Sequence, residues 1–558
     1  MSQIPTPDSV NLDAAPASFI ESEPKRSSML RSVASFGSMT MVSRVFGLMR
    51  DMVISSVFGA NAATDAFWVA FRIPNFMRRL FAEGSFTTAF VPVFTEIKET
   101  GSHADLKALV ARTAGALCGV LLVIVGLAMI FMPQVAMVFS PGAIHDPKKF
   151  ALTVELLRLT FPFVLFISMT ALAGGALNSF NRFGMPALVP VILNLCMISA
   201  ALWLSPHLHT PILALGWAIL FGGILQVLFL LPQLAQLDLL SLPRWGFANP
   251  DVRRVMRLMV PTLFGSSIMQ VNLLLDTVIA SLLFVGSQSW VSQADRFLEL
   301  PLGVFGIAFG TVMLPTLSQH HIRSESDGFS KTLDWGLRST LMIAMPAMLG
   351  LMLLAVPIVA TLYQHGNFTP FDTRMVALSV FGLSFGLPAF ALVKVVVPAF
   401  YARLDTRTPV KAGLVSMGAN MLFNVLILAA LYKLRVPAKL QQGSVWVALA
   451  AVPGLHFALG LASAVASYLN LVFLWHWLQR ANIYQPQPGW SRFLLRLLSA
   501  CAAMVAALLL GLHLGPDFTE ASVVARILWL ATLVVGGGGV YGLAMLTMGF
   551  RVHELHGH

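Results

Sequence analysis

The sequence predicts an all-α polytopic membrane protein with fourteen transmembrane helices: two parallel six-helix repeats around a central cavity, and two further helices at the C-terminus. Three observations predict it. The chain is 57% hydrophobic and only 11% charged, with a mean hydropathy of +0.78, whereas soluble domains carry about 25% charged residues. Apolar runs long enough to cross about 30 Å of hydrocarbon recur along the 558 residues. The first part of the chain is echoed in the second. Helices are expected because an open sheet edge cannot survive in hydrocarbon.

Residues 1–28 are rich in Pro, Ser, Asp and Glu and read as a disordered cytoplasmic tail. They lack the basic start and apolar core of a signal peptide. Apolar segments then follow at 30–57, 64–95, 108–139, 150–178, 186–205, 211–236, 256–285, 290–318, 332–363, 374–401, 409–432, 445–478, 493–514 and 523–549.

The echo has a constant shift of 223 to 225 residues. Pro133-x-Val135-Ala136 recurs as Pro357-x-Val359-Ala360, Gly142 matches Gly366, Pro92 matches Pro315, Pro186 matches Pro409 and Asp51 matches Asp276. Internal repeats of this kind mark transporter folds. They divide the chain into a bundle over 29–250, a second over 251–482, and two added helices with a short tail over 483–558. A shift of six helices keeps both bundles in one orientation. Rocking them would expose a central cavity to one side and then the other.

The formal charge of +11 does not call for nucleic acid. Lys and Arg cluster in alternate connections, from Lys25 and Arg26 through Arg182, Arg253, Arg254 and Arg407 to Arg551, while the other side holds Lys148, Lys149, Lys433, Arg435 and Lys439. The positive-inside bias therefore places both termini in the cytoplasm. Cys118, Cys196 and Cys501 lie far apart in apolar runs and read as free thiols, and pairs such as His207/His209 sit in connections, so neither a disulfide framework nor a zinc site is expected.

Against this background the stretch from Ser43 to Glu83 stands out, because a charge at the bilayer centre costs about 3 kcal/mol on insertion scales. At helical spacing Ser43, Gly47 and Arg50 share a stripe, with Arg44 and Asp51 on the next. Asp65 and Arg72 share another, and Arg78, Arg79 and Glu83 follow. Ser289, Ser292, Arg296 and Glu299 form one face in the second half. The acids Asp51, Asp65, Glu83, Asp295 and Glu299 either pair with arginines to hold helices together or serve the site. Arg44, Arg50, Arg78 and Arg296, from different helices of both halves, read as a basic cavity for an anion, since the guanidinium fork suits phosphate and carboxylate. Asp276, Asn420 and Asn424 either converge on a cation or make ordinary interhelical hydrogen bonds. With no G-x-x-x-x-G-K-[ST] loop, no G-x-S-x-G and no H-E-x-x-H, neither ATP hydrolysis nor enzymatic chemistry is expected; transport would draw on a gradient or on membrane potential.

SMTMVSRVFGLMRD (38–51), TDAFWVAFRIPNFMRRLFAEGSFTTAFVPV (64–93), SWVSQADRFLELPLGVFGIAFGTVMLPTLS (289–318) and ALVKVVVPAFYARLDTRTPVK (391–411) closely resemble the MurJ (MviN) family from about residue 30 onward. Members are bacterial inner-membrane flippases for lipid II within the multidrug/oligosaccharidyl-lipid/polysaccharide exporter superfamily. The resemblance implies movement of the undecaprenyl-diphosphate-linked peptidoglycan precursor from the cytoplasmic to the periplasmic leaflet. It maps family functional positions onto Ser43, Arg44, Arg50, Asp65, Arg78, Ser289, Arg296 and Glu299, a sodium site onto Asp276, Asn420 and Asn424, and a polyprenyl-tail groove onto the last two helices. Membrane lipids surround such a protein, and transient contact with peptidoglycan synthases is in keeping with the family. A flippase for another polyprenyl-linked saccharide or a cation-coupled drug exporter is the rival within the class, although a drug exporter should favour buried acids over arginines. A membrane glycosyltransferase acting on the same lipid would need a diphosphate site but gains nothing from a two-fold repeat.

Overall fold

The computed structural model describes the backbone of residues 26–78, 86–481 and 483–550, with side chains described except at 26–40, 86–88, 260–270, 300 and 304–312. Arg79, Glu83 and most of the N-terminal tail lie outside the described residues. Arg26 already opens the first helix.

Each segment expected to cross the membrane is helical over most of its described length, and no strand occurs among the described residues. The first half comprises α1 (Arg26–Phe58), α2 (Ala62–Arg78), α3 (Phe86–Thr100), α4 (His103–Ile130), α5 (Met132–Phe139), α6 (Pro147–Thr160), α7 (Phe163–Ser179), α8 (Gly184–Ser199) and α9 (Leu213–Gln236). The second comprises α10 (Pro250–Ser281), α11 (Ser287–Ile322), α12 (Ser326–Leu353), α13 (Ala355–Tyr363), α14 (Pro370–Ser384), α15 (Leu387–Tyr401), α16 (Arg407–Arg435), the short α17 (Ala438–Gln441) and α18 (Val445–Ala451), and α19 (Phe457–Arg480). A terminal pair, α20 (Trp490–Leu514) and α21 (Val523–Thr547), completes the molecule.

Several spans written as single runs are broken. Proline is the usual reason, since it lacks the N–H that continues the ladder. Pro133 and Pro357 stand in the first turns of α5 and α13, Pro162 precedes α7, and α14 meets α15 at a 40° bend before Pro388. Among the described residues nine helices, or ten counting that bent pair, are long and apolar enough to cross a membrane. The expected spans outside this set are those of α1, of α2 with α3, of α10 and of α11, and these carry the charged candidate residues named from the sequence.

The repeat is visible in the helices themselves. His103 and Ser326 open α4 and α12, Met132 and Ala355 open α5 and α13, Pro147 and Pro370 open α6 and α14, and Gly184 and Arg407 open α8 and α16. Packing repeats too: α1 on α8 corresponds to α10 on α16, α2 on α6 to α11 on α14, and α7 on α9 to α15 on α19. Helix starts are fixed locally. Asp146 accepts from Lys148 N and Lys149 N at the start of α6, while Thr369 and Asp372 form a capping box at the start of α14.

α10 begins within the other half, where Val252, Val255 and Met259 join the core built by α3, α4 and α7, and Arg254 meets Glu96 at 2.9 Å. The terminal pair packs on α12 and α13 through Phe493, Leu497, Cys501, Met504 and Leu508. It is pinned at both ends. Asp334 of α12 accepts from Tyr484 Oη and Trp490 Nε1, both at 2.6 Å, and binds Arg338, whose guanidinium lies 5.1 Å from the Trp490 ring. Arg526 of α21 donates to Ala360 O and Gln364 O at the end of α13, both at 3.2 Å. Asp334→Ala therefore leaves buried donors unmatched and is expected to lower stability by about 2–3 kcal/mol, read as a lower melting temperature in detergent with selective loss of protease resistance around residue 485.

Candidate functional site

Two polar clusters join the halves, and a third lies within the second half. The first is built on α1. Arg50 is 4% exposed and Asp51 1%, a depth at which an unpaired charge would be strongly disfavoured. Arg50 donates through Nε and Nη2 to Asp51 Oδ1 at 2.9 and 2.6 Å, and through Nη1 to Asn194 Oδ1 of α8 at 3.0 Å, with its guanidinium 5.4 Å from the Phe71 ring of α2. The other carboxylate oxygen of Asp51 faces Arg296 Nε of α11 at 2.8 Å, and Arg296 Nη1 reaches Glu299 Oε2 at 2.9 Å. One carboxylate thus holds together two arginines from opposite halves. Arg44 lies two turns earlier on α1 with Nη1 3.4 Å from Glu299 O, over Gly303, where any side chain would collide with the guanidinium.

The second cluster sits where α1 turns into α2, at the Gly59 end of the bundle. Asp65, 1% exposed, accepts from Gly286 N at 2.8 Å, Ser289 N at 3.0 Å and Ser289 Oγ at 2.8 Å. It caps the start of α11 from the other half, satisfying N–H groups that have no partner within their own helix and placing negative charge at the positive end of its dipole. Lys149 Nζ of α6 completes the shell at 3.1 Å. Around it, Gln293 Nε2 donates to Ser55 Oγ at 2.9 Å, and Asn367 donates through N to Ser56 O at 2.8 Å and through Nδ2 to Val57 O at 2.6 Å. Two repeat-equivalent turns close the seal. The Gly142 turn lies against Ser281 and the Gly366 turn against Ser56, each so tightly that a Cβ would strike the facing carbonyl oxygen. Arg72 adds a further tie across the halves, to Thr277 Oγ1 at 2.8 Å and Asp295 Oδ2 at 3.2 Å.

In the third cluster Asp276 Oδ1 accepts from Asn424 Nδ2 at 2.9 Å and Asn420 Nδ2 at 3.3 Å, Asp276 Oδ2 from Ser463 Oγ at 3.3 Å, and Asn272 Oδ1 from Asn420 at 2.8 Å. No group of three or more His, Cys, Asp or Glu suited to a metal occurs among the described residues.

A family model described as "Lipid II flippase MurJ" matches residues 54–528. The chain belongs to the MurJ lipid II flippase family. Probable lipid II flippases of this family from Haemophilus influenzae and Vibrio cholerae are each 39% identical, over 93% and 94% of this chain and 99% and 97% of theirs. A lipid II flippase from Burkholderia cenocepacia is 38% identical over 94% of this chain and 98% of its own. Among solved structures, a MurJ in an inward closed conformation aligns at a TM-score of 0.74 with 24% identity, covering 91% of this chain and 97% of the other. An inward-facing multidrug transporter of the MATE family aligns at 0.61 with 13% identity over 81% and 98%. These two establish the shared fold.

Of the residues expected from the sequence, Arg50 and Arg296 meet through Asp51, Glu299 binds Arg296, and Arg44 lies beside Glu299. Asp65 and Ser289 meet in a separate cluster at the Gly59 end. Ser43 contributes its carbonyl, 3.4 Å from Asn194 Nδ2, and Arg78 turns to Asn75 Oδ1 of its own helix at 2.9 and 3.1 Å. Asp65 does not pair with Arg72, although the two share a stripe. Lys149, counted in the sequence among the basic residues of the outer-side connections, is buried. Asn194, Asn272 and Ser463 escaped notice because single uncharged polar residues in apolar helices carry no pattern of their own.

Proposed function

We propose that this protein moves lipid II from the cytoplasmic to the periplasmic leaflet of a bacterial inner membrane by alternating access, without enzymatic chemistry and with both termini in the cytoplasm. The observation that carries this is the Arg50–Asp51–Arg296 network: two arginines from opposite halves, joined by one internal carboxylate, where a diphosphate can exchange for that carboxylate. Guanidinium groups hold phosphate through paired charge-assisted hydrogen bonds, with Arg44 and Arg78 supplying further donors on α1 and α2. Ser43 and Glu299 flank the site.

With the N-terminus inside, the Gly59 end is periplasmic. Asp65, Ser289 and the two glycine turns then form the outer gate, shut in this conformation. The headgroup enters from the cytoplasm, the bundles rock, the gate parts and the headgroup leaves, while the polyprenyl tail stays in lipid along α20 and α21. A membrane potential negative inside favours outward movement of negative charge by about 2.3 kcal/mol per charge per 100 mV.

Asp276, Asn420 and Asn424 fit a sodium ion, with Asn272 and Ser463 added. The donors are all oxygens with a single charge, which suits a hard cation, and Asn424 Oδ1 is buried without a hydrogen-bond partner. Turning the amides would replace N–H with oxygen towards the ion. Bound there, sodium supplies the positive charge that balances Asp276. Peptidoglycan synthases are candidate partners because they consume the product.

The reading is tested by reconstitution. Labelled lipid II in proteoliposomes should become accessible on the far side faster than in protein-free liposomes. Equal acceleration for a polyprenyl diphosphate bearing an unrelated saccharide would favour the broader flippase reading, and no acceleration of either would overturn both.

A further inference from the structure

Lys149 is out of place by the ordinary rules of helices. It stands in the first turn of α6, where the helix dipole disfavours a cation, and it is only 8% exposed, whereas its neighbour Lys148 is exposed. The repeat shows what the position otherwise holds. Counting from the matching prolines that open α6 and α14, Lys149 corresponds to Asp372, an acid in a capping box. Counting from the first residues of α2 and α11, Asp65 corresponds to Trp290, and Trp290 Nε1 donates to Asp372 Oδ1 at 3.0 Å. The same inter-helix contact is therefore an ion pair in the first half and a neutral donor on an acid in the second.

The donors around Asp65 divide unequally between the halves. Gly286 N, Ser289 N and Ser289 Oγ belong to the start of α11 and leave with the second half when the outer gate opens. Lys149 belongs to the first half, on a helix packed directly against α2, and does not leave. We propose that Lys149 is the retained counter-charge of the outer gate: it keeps Asp65 paired after Asp65 has lost α11, and so makes the parted state accessible. In the shut state Lys149 is one donor among four. In the open state it is the remaining one. This makes it a positioning residue for the transport cycle, and the proposal rests on the alternating-access reading above.

The experiment measures gate opening without substrate. Spin labels at exposed positions His209 and Val285 report the separation of the halves in the full-length protein in nanodiscs. Lys149→Met is expected to reduce the long-distance population about tenfold relative to the parent, which corresponds to about 1.4 kcal/mol. Lys149→Met combined with Asp65→Asn is expected to recover at least the parental population, because a neutral amide at position 65 no longer needs a counter-charge. A structural role confined to α6 would not be rescued in this way. Parental opening in Lys149→Met, or a double variant no more open than the single, overturns the proposal while leaving alternating access standing. A single short distance in every variant, parent included, sinks alternating access and this proposal together.

Discussion

Gly366→Ala is expected to hold the Gly59 end of the bundle apart. Gly366 has φ +57° and faces the Ser56 carbonyl at a distance that admits no Cβ. Because the obstacle is backbone, it cannot rotate away. Seating the turn would then cost the two hydrogen bonds from Asn367 to Ser56 O and Val57 O, about 1 kcal/mol each. The strain of a left-handed alanine is common to both conformations and cancels. The open population is expected to rise roughly 30-fold, since 1.4 kcal/mol is a factor of about ten. Spin-label distances across the gate would show it, and the repeat-equivalent Gly142→Ala should act in the same direction. An unchanged distance distribution in a folded Gly366→Ala protein would mean that this contact is not part of the gate.

Asp51→Asn separates binding from transport. Asp51 is the internal anion between Arg50 and Arg296, with contacts at 2.6 and 2.8 Å. In the proposed function a diphosphate entering the site displaces it. Removing its charge leaves buried Arg50 and partly exposed Arg296 without their shared partner, and at an effective dielectric of 20 two unit charges about 4 Å apart attract by about 4 kcal/mol. An incoming anion inherits much of that attraction. Lipid II or inorganic pyrophosphate should bind at least about tenfold more tightly to Asp51→Asn, while translocation falls because nothing reclaims the arginines when the headgroup must leave. Weaker pyrophosphate binding in a folded variant would show that Asp51 organises the arginines rather than competing with the ligand.

The fold was largely legible in the sequence because hydrophobic length and a constant repeat shift are both one-dimensional signals. The shift even paired Gly142 with Gly366, though nothing in the sequence said that both turns would press on Ser281 and Ser56 across the interface. The charged candidates were legible because a membrane makes a charge conspicuous. Their partners were less so. Helical spacing put Asp65 with Arg72, but Asp65 meets the start of α11 while Arg72 meets Asp295 further along it and Thr277 of α10, and spacing along one helix cannot see across an interface. Lys149 was hidden by its position one residue from an exposed lysine in a connection, and Asn194 by carrying no charge. The breaks between α4 and α5 or α12 and α13 were foreshadowed by Pro133 and Pro357, yet hydropathy merged them because the apolar character does not lapse there.

The central claim is that arginines from opposite halves act on one diphosphate as a unit. The measurement that tests it most directly is translocation of labelled lipid II in liposomes by Arg50→Ala, Arg296→Ala and the double variant, with each protein's insertion and folding verified. The account predicts that either single change removes nearly all activity and that the double is little worse, the non-additivity expected of groups sharing one ligand. Losses that multiply independently, or full activity in both single variants, would contradict it.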